Sequence, residues 1–136
     1  MSDQAALQRA YRLTMPALAA GADGTTNVAI MLEAGTVTSV KYVANAAVTG
    51  ANTETRTVAV LNKGAAGSGT TSVASLALTN GVNIAAAVPK TITLTSTAAD
   101  KVVAAGDVLQ FTSTHSGSTG LADPGGFLEV TVDRTA

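Results

Sequence analysis

The stretch Phe127-Leu128-Glu129-Val130-Thr131-Val132-Asp133 alternates without a break from Leu128 to Asp133. Successive side chains of an extended strand leave opposite faces of the pleat, so Leu128, Val130 and Val132 share one face and Glu129, Thr131 and Asp133 the other. The same period of two recurs upstream in Leu109/Phe111, Ile92/Leu94 and Val28/Ile30/Leu32. Each run is closed by Gly, Asn, Asp or Pro, residues that favour turns for separate stereochemical reasons. Half-buried antiparallel strands have this pattern, and an all-β chain is expected.

Working outward from that stretch, strands are predicted near 27–33, 36–43, 54–62, 71–78, 91–96, 101–104, 107–114 and 126–133. Glu33-Ala34-Gly35 is short enough for a tight hairpin between the first two. Gly64-Ala65-Ala66-Gly67-Ser68-Gly69 is a loop tip, Asn80-Gly81 a turn, and Asp123-Pro124-Gly125-Gly126 a turn in which Pro sets φ and Gly supplies positive φ. Thr97-Ala98-Ala99-Asp100 has the spacing of a helix capping box, but Gly106 follows so soon that a single helical turn is the limit. About eight strands without long intervening helices imply two packed antiparallel sheets, a β-sandwich spanning 21–136 as a single domain, and exclude an α/β fold.

Residues 1–20 break the pattern. Leu7 and Tyr11 lie four apart beside Ala10, Arg9 and Arg12 flank them, and Pro16 ends the segment. That spacing suits a short helix with one weak apolar stripe, although so short a helix is marginal alone. Either a frayed terminus or an arm that orders against a neighbour is expected, with Leu7, Arg9, Tyr11, Arg12 and Leu13 as the partner-contacting residues.

A chain of 136 residues is of single-domain size. Its 46% hydrophobic content includes only two Tyr, two Phe and no Trp. The core is therefore built mainly of Ala and Val, which bury little area each, and gains from a further surface to pack against. Eight basic and nine acidic residues give a net charge of −1 without long runs of either sign. A nucleic-acid interface needs a basic patch or interleaved aromatics, and none is visible. No apolar run reaches the roughly 18 residues of a membrane span, and the first residues lack the basic and apolar regions of a secretory signal. With no cysteine, disulfides and thiolate metal sites are excluded.

No motif calls for catalysis, a cofactor or a metal. His115 is the only histidine, sits in a polar strand end, and is expected to be a solvated loop residue; one His without Cys makes no common zinc site. Asp100, Asp107, Asp123 and Glu129 lack metal-ligand spacing, and turn hydrogen bonding accounts for Asp107 and Asp123. Gly67-Ser68-Gly69 is not a nucleophile elbow, and the Gly-rich loop 64–69 lacks the Lys and following helix of a phosphate cradle. Glu54 and Arg56, two apart on one strand face, are expected to pair with each other or with neighbouring strands.

Several segments, taken in order, resemble one kind of protein. They are Gly35-Thr36-Val37-Thr38-Ser39-Val40-Lys41-Tyr42-Val43, Val48-Thr49-Gly50-Ala51-Asn52-Thr53-Glu54-Thr55-Arg56, Asn62-Lys63-Gly64 with Gly67-Ser68-Gly69-Thr70, Ala105-Gly106-Asp107-Val108-Leu109, and Gly120-Leu121-Ala122-Asp123-Pro124-Gly125-Gly126. Over residues 27–134 the chain resembles the capsid decoration (cement) and head-fibre proteins of tailed bacteriophages. The resemblance implies a jelly-roll-like sandwich on the outer capsid surface of the virion, synthesised in the host cytoplasm. Its partners would be the major capsid protein and further copies of itself, as a homotrimer, with no nucleic acid, membrane or cofactor and no enzymatic activity. The alternative is a carbohydrate- or receptor-binding sandwich of a head fibre or tail, for which Tyr42 and Phe127 are the available aromatic platform.

Overall fold

The computed structural model describes residues 8–134, and its strands pair as a long ribbon rolled on itself. β1 (Gln8–Met15) pairs with β9 (Gly126–Arg134), and β2 (Gly24–Ile30) with β8 (Val108–Ser116). β3 (Gly35–Ala44) pairs with β6 (Pro89–Thr91) and β7 (Val102–Val103), and β4 (Thr55–Asn62) with β5 (Thr71–Ala77). Rolling the ribbon adds the β3–β9 and β4–β8 ladders. The result is two antiparallel sheets, β1-β9-β3-β6 with β7 also beside β3, and β2-β8-β4-β5. This strand order is a jelly roll.

One side of the sandwich is closed and the other open. After β6 the chain passes between the sheets: Ile92 N–H donates to Val40 O, while Ser75 N–H donates to Thr93 O and Thr95 N–H to Val73 O. That crossing stitches β3 to β5. On the opposite side β1 and β2 are the terminal strands of their sheets.

The alternating runs face inward as their periodicity requires. Leu109, Phe111, Leu128, Val130 and Val132 are buried with Val37, Val40, Val58, Val60 and Val73. Tyr42 and Phe111 are the buried aromatic pair between the sheets, with ring centroids 5.6 Å apart. Among the described residues, every buried side-chain nitrogen and oxygen has a hydrogen-bond partner. The predicted single helical turn is a 3-10 turn at Ala98–Lys101.

Three local expectations are corrected. Residues 8–15 are neither helix nor a separate arm but strand β1, paired with β9 along its whole length. Tyr11, Leu13 and Met15 form a period-two set pointing inward, and their burial outweighs the single Leu7/Tyr11 helical spacing. Leu7 itself lies outside the described residues. Second, Glu33-Ala34-Gly35 does not close a hairpin: β2 and β3 lie in different sheets, and the connection crosses between them. Third, Val28, Ile30 and Leu32 do not share a face. The register slips between Asn27 and Ala29, a bulge that buries Val28 and leaves Ile30 and Leu32 58% and 61% exposed.

Candidate functional site

Of the residues predicted to contact a partner, Arg9, Tyr11, Arg12 and Leu13 fall on β1 at the edge of the first sheet, but they do not form one patch. Arg9 turns toward the β2–β3 connection, where its Nη2 donates to Glu33 Oε1 at 2.8 Å and Arg134 Nη1 meets the other carboxylate oxygen at 3.1 Å. Tyr11 is half-buried, and its hydroxyl accepts the Leu32 N–H. Arg12 and Leu13, by contrast, come together with residues the sequence did not connect to them.

The outward side chains of β1, β9 and β3 lie in rows fixed by register: Arg12 beside Glu129 beside Lys41, and Thr14 beside Phe127 beside Val43. Arg12 Nε donates to Glu129 Oε2 at 2.5 Å while its side chain remains 69% exposed. Phe127, on the polar face of its own strand, is 41% exposed. An open depression lies on each side of it. One, of about 380 Å³, is lined by Arg12, Lys41, Val43, Pro89, Phe127 and Glu129. The other, of about 430 Å³, is lined by Arg12, Leu13, Thr14 and Phe127 at the sheet edge. Glu129 stands between the two cations and Phe127 one row along, so the face sets an exposed ring beside a guanidinium that Glu129 only partly satisfies. Tyr42, the other proposed platform aromatic, is buried and cannot serve.

A second polar constellation lies inside. Arg56 does not pair with Glu54; it is 1% exposed beneath the loops. Its Nε donates to Leu121 O at 2.6 Å, Nη1 to Ser113 Oγ at 3.0 Å, and Nη2 to Ala22 O at 2.9 Å and Ala19 O at 3.3 Å. Ser113 Oγ in turn donates to Asp123 Oδ2 at 2.7 Å, and the Tyr42 hydroxyl donates to Asp123 Oδ1 at 2.5 Å. The Gly125 N–H completes the Asp123 carboxylate, as the turn signal implied. Burial, and then the bond to Asp123, pushes the Tyr42 phenol well above its ordinary range. The group is saturated by internal partners, so its chemistry goes into fixing loops 16–23 and 117–125. A signal for it was present in the sequence: Arg56 is in phase with Val58 and Val60, both buried.

Two carboxylates finish the same end of the molecule. Glu54 accepts the successive N–H groups of Ser118, Thr119 and Gly120, which hold its carboxyl below the usual range, Gly120 contributing most. Asp23 accepts both the backbone N–H and Nδ1 of His115, which lower its pKa. His115 is therefore not a loop residue but lies on β8, engaged with the 16–23 connection. Asp107 accepts from Ala104 N–H and Asn62 Nδ2 at the opposite end, and Glu129 lies on the outer sheet face, so the acidic residues do not converge. Among the described residues no cluster of three or more His, Cys, Asp or Glu is arranged to hold a metal.

No protein-family model matches this chain, and no curated protein matches it. Among solved structures it is similar, at 12% identity and a TM-score of 0.41, to a chain of the structure of infectious bursal disease virus Gx strain; the match covers 93% of this chain and 32% of that one. This chain thus spans about a third of the length of the chain it matches.

Proposed function

We propose that this chain is a non-enzymatic structural protein of a virion, a decoration or cement protein. It binds the outer surface of an assembled major capsid protein lattice and stabilises the head. The observation that carries this reading is the outer face of the first sheet, where Phe127 stands exposed one row along from Arg12, Glu129 and Lys41, beside an edge strand that no other described segment covers. Soluble proteins that act alone protect such edges and limit such patches. The sequence resemblance to phage decoration and head-fibre proteins points the same way, as does a core poor in aromatics.

The physical effect is linkage. A protein that binds only the assembled shell raises the free energy needed to disrupt it. A homotrimer would add avidity without a strong single contact. Heating phage shells with and without the protein tests this: saturable co-sedimentation and a higher disruption temperature are expected. Folded protein that never sediments with shells would sink the proposal. A deletion of residues 1–7 tests a leading arm, whereas a deletion of 1–15 would also remove β1 and its buried Met15.

The second reading, a glycan- or receptor-binding module, keeps one feature in its favour, the exposed Phe127 with polar neighbours. Retention on a glycan array, lost in Phe127→Ala, would favour it over the first.

A further inference from the structure

The sandwich has four sheet edges, and three are blunted. β5 is covered by residues 93–95, β6 and β7 are only three and two residues long, and β2 carries the bulge at Val28. Short strands, bulges and covering segments are the usual protections of an edge. Among the described residues β1 has none of them. It runs eight residues in unbroken register with β9, and among the described residues its backbone makes no hydrogen bond beyond that ladder.

Charge decides what can occupy this edge. β1 contains Arg9 and Arg12 and no acidic residue. Two copies laid β1 to β1 would gather four arginines, and like charges on adjacent strands destabilise the pairing. Arg9 is engaged by Glu33, whereas Arg12 gives only Nε to Glu129 and keeps Nη1 and Nη2 unpartnered among the described residues. Two residues along the same face is Thr14, at the depression of about 430 Å³ walled by Phe127. Side chains of an added strand repeat with the same period of two.

We propose that β1 is the acceptor edge for an extended acidic segment of another protein, which adds a strand to the first sheet. That segment sets a carboxylate against the free nitrogens of Arg12 and an apolar side chain, two residues away, against Phe127. The proposal rests on the docking role argued above and names the chemistry of the docked partner. Main-chain bonds along β1 supply affinity, and the two side-chain positions supply selectivity.

The test uses the full chain and synthetic peptides as long as β1, eight residues, on an alternating Thr/Val background. Glu and Leu stand two apart, in either order because the strand direction is free, and matched peptides carry Lys in place of Glu. The better glutamate peptide is expected to bind at least ~10-fold more tightly than its lysine counterpart, with the gap shrinking at high salt. Arg12→Glu should reverse the preference, Arg12→Gln should abolish it, and the bound peptide should slow amide exchange in β1 but not β2. Equal binding of both peptides, or indifference to both Arg12 variants, overturns the proposal. So does concentration-dependent protection of β1 without peptide, which would make a second copy the occupant. Full shell occupancy by Arg12→Glu would discard this edge while leaving the capsid role standing; peptide binding by a protein that ignores shells would do the reverse.

Discussion

The two ends of the sandwich hold their loops by different means. At one end, loops 16–23 and 117–125 are gathered by the buried Arg56 guanidinium, and exposed alanines cover the outside. At the other, the β2–β3 connection is tied to β1 and β9 by Glu33 between Arg9 and Arg134, all partly solvated. Hydrogen bonds in a low-dielectric interior are costly to break because the abandoned partners cannot turn to water. Surface ion pairs are screened and give back little when lost. The alanine-rich end is therefore expected to be rigid and intolerant of change, and the charged end forgiving.

The sharpest way to break this contrast is Arg56→Met. The substitution keeps much of the volume but strands the Leu121 and Ala22 carbonyls, Ala19 O keeping the Ala22 N–H, and removes the cation nearest the Asp123 network. A loss of about 3–5 kcal/mol in denaturant unfolding is expected, a large share of the stability of a domain this size, and it should barely depend on salt. A loss below ~1 kcal/mol would mean that the two ends do not differ as argued.

Tyr42→Phe is the next step down. It deletes one donor to Asp123 while Ser113 and Gly125 keep theirs, so about 1.5–3 kcal/mol is expected. The substitution also carries a pH signature. The folded phenol titrates above its ordinary 10.0, so its contribution is full below that value and declines as pH rises beyond it. Urea midpoints measured through the alkaline range should fall less steeply in Tyr42→Phe than in the parent chain.

The inward set of β8 and β9 was legible because bulky apolar residues alternate there without interruption, and burial on one face fixes the phase. β1 was not, because Leu7 and Tyr11 fit a helix about as well as Tyr11, Leu13 and Met15 fit a strand, and only the neighbouring β9 decides between them. The rolled order was hidden for a similar reason: a four-residue connection, 31–34, serves a hairpin or a crossing equally. Arg12 and Leu13, expected to contact a partner from a helix or arm, lie instead on edge strand β1, and Phe127 joins them only through the β1–β9 register. Arg56 announced its inward direction by its phase with Val58. Its acceptors at residues 19, 22 and 121 are remote in sequence, so no local pattern could name them.

Acid should loosen the alanine-rich end through two carboxylates. Glu54 and Asp23 both titrate below their ordinary values when folded, the first because of the Gly120, Thr119 and Ser118 N–H groups and the second because of His115. Their contribution is present above the unfolded pKa and is lost as pH falls through the folded one, so the unfolding midpoint should drop between about pH 5 and pH 2. In Glu54→Gln that drop should be shallower, and amide exchange at residues 118–120 should be faster already at neutral pH. Unchanged exchange there would show that the loop holds itself without the carboxylate.

The smallest effect belongs to the charged end. Glu33 spans Arg9 and Arg134 with one oxygen each, and those bonds hold its carboxyl below the usual range, the Arg9 bond foremost. All three side chains are between 30% and 45% exposed, so water and salt take over most of what the bridge provides. Glu33→Gln should shift the unfolding midpoint detectably at ~0.01 M salt, where the screening length is about 30 Å, and not measurably at ~1 M, where it is about 3 Å. The same salt series applied to Arg56→Met should leave its deficit nearly constant, because the buried guanidinium is shielded from mobile ions. If both variants lose their effect together as salt rises, Arg56 is solvated after all, and the proposed difference between the two ends collapses.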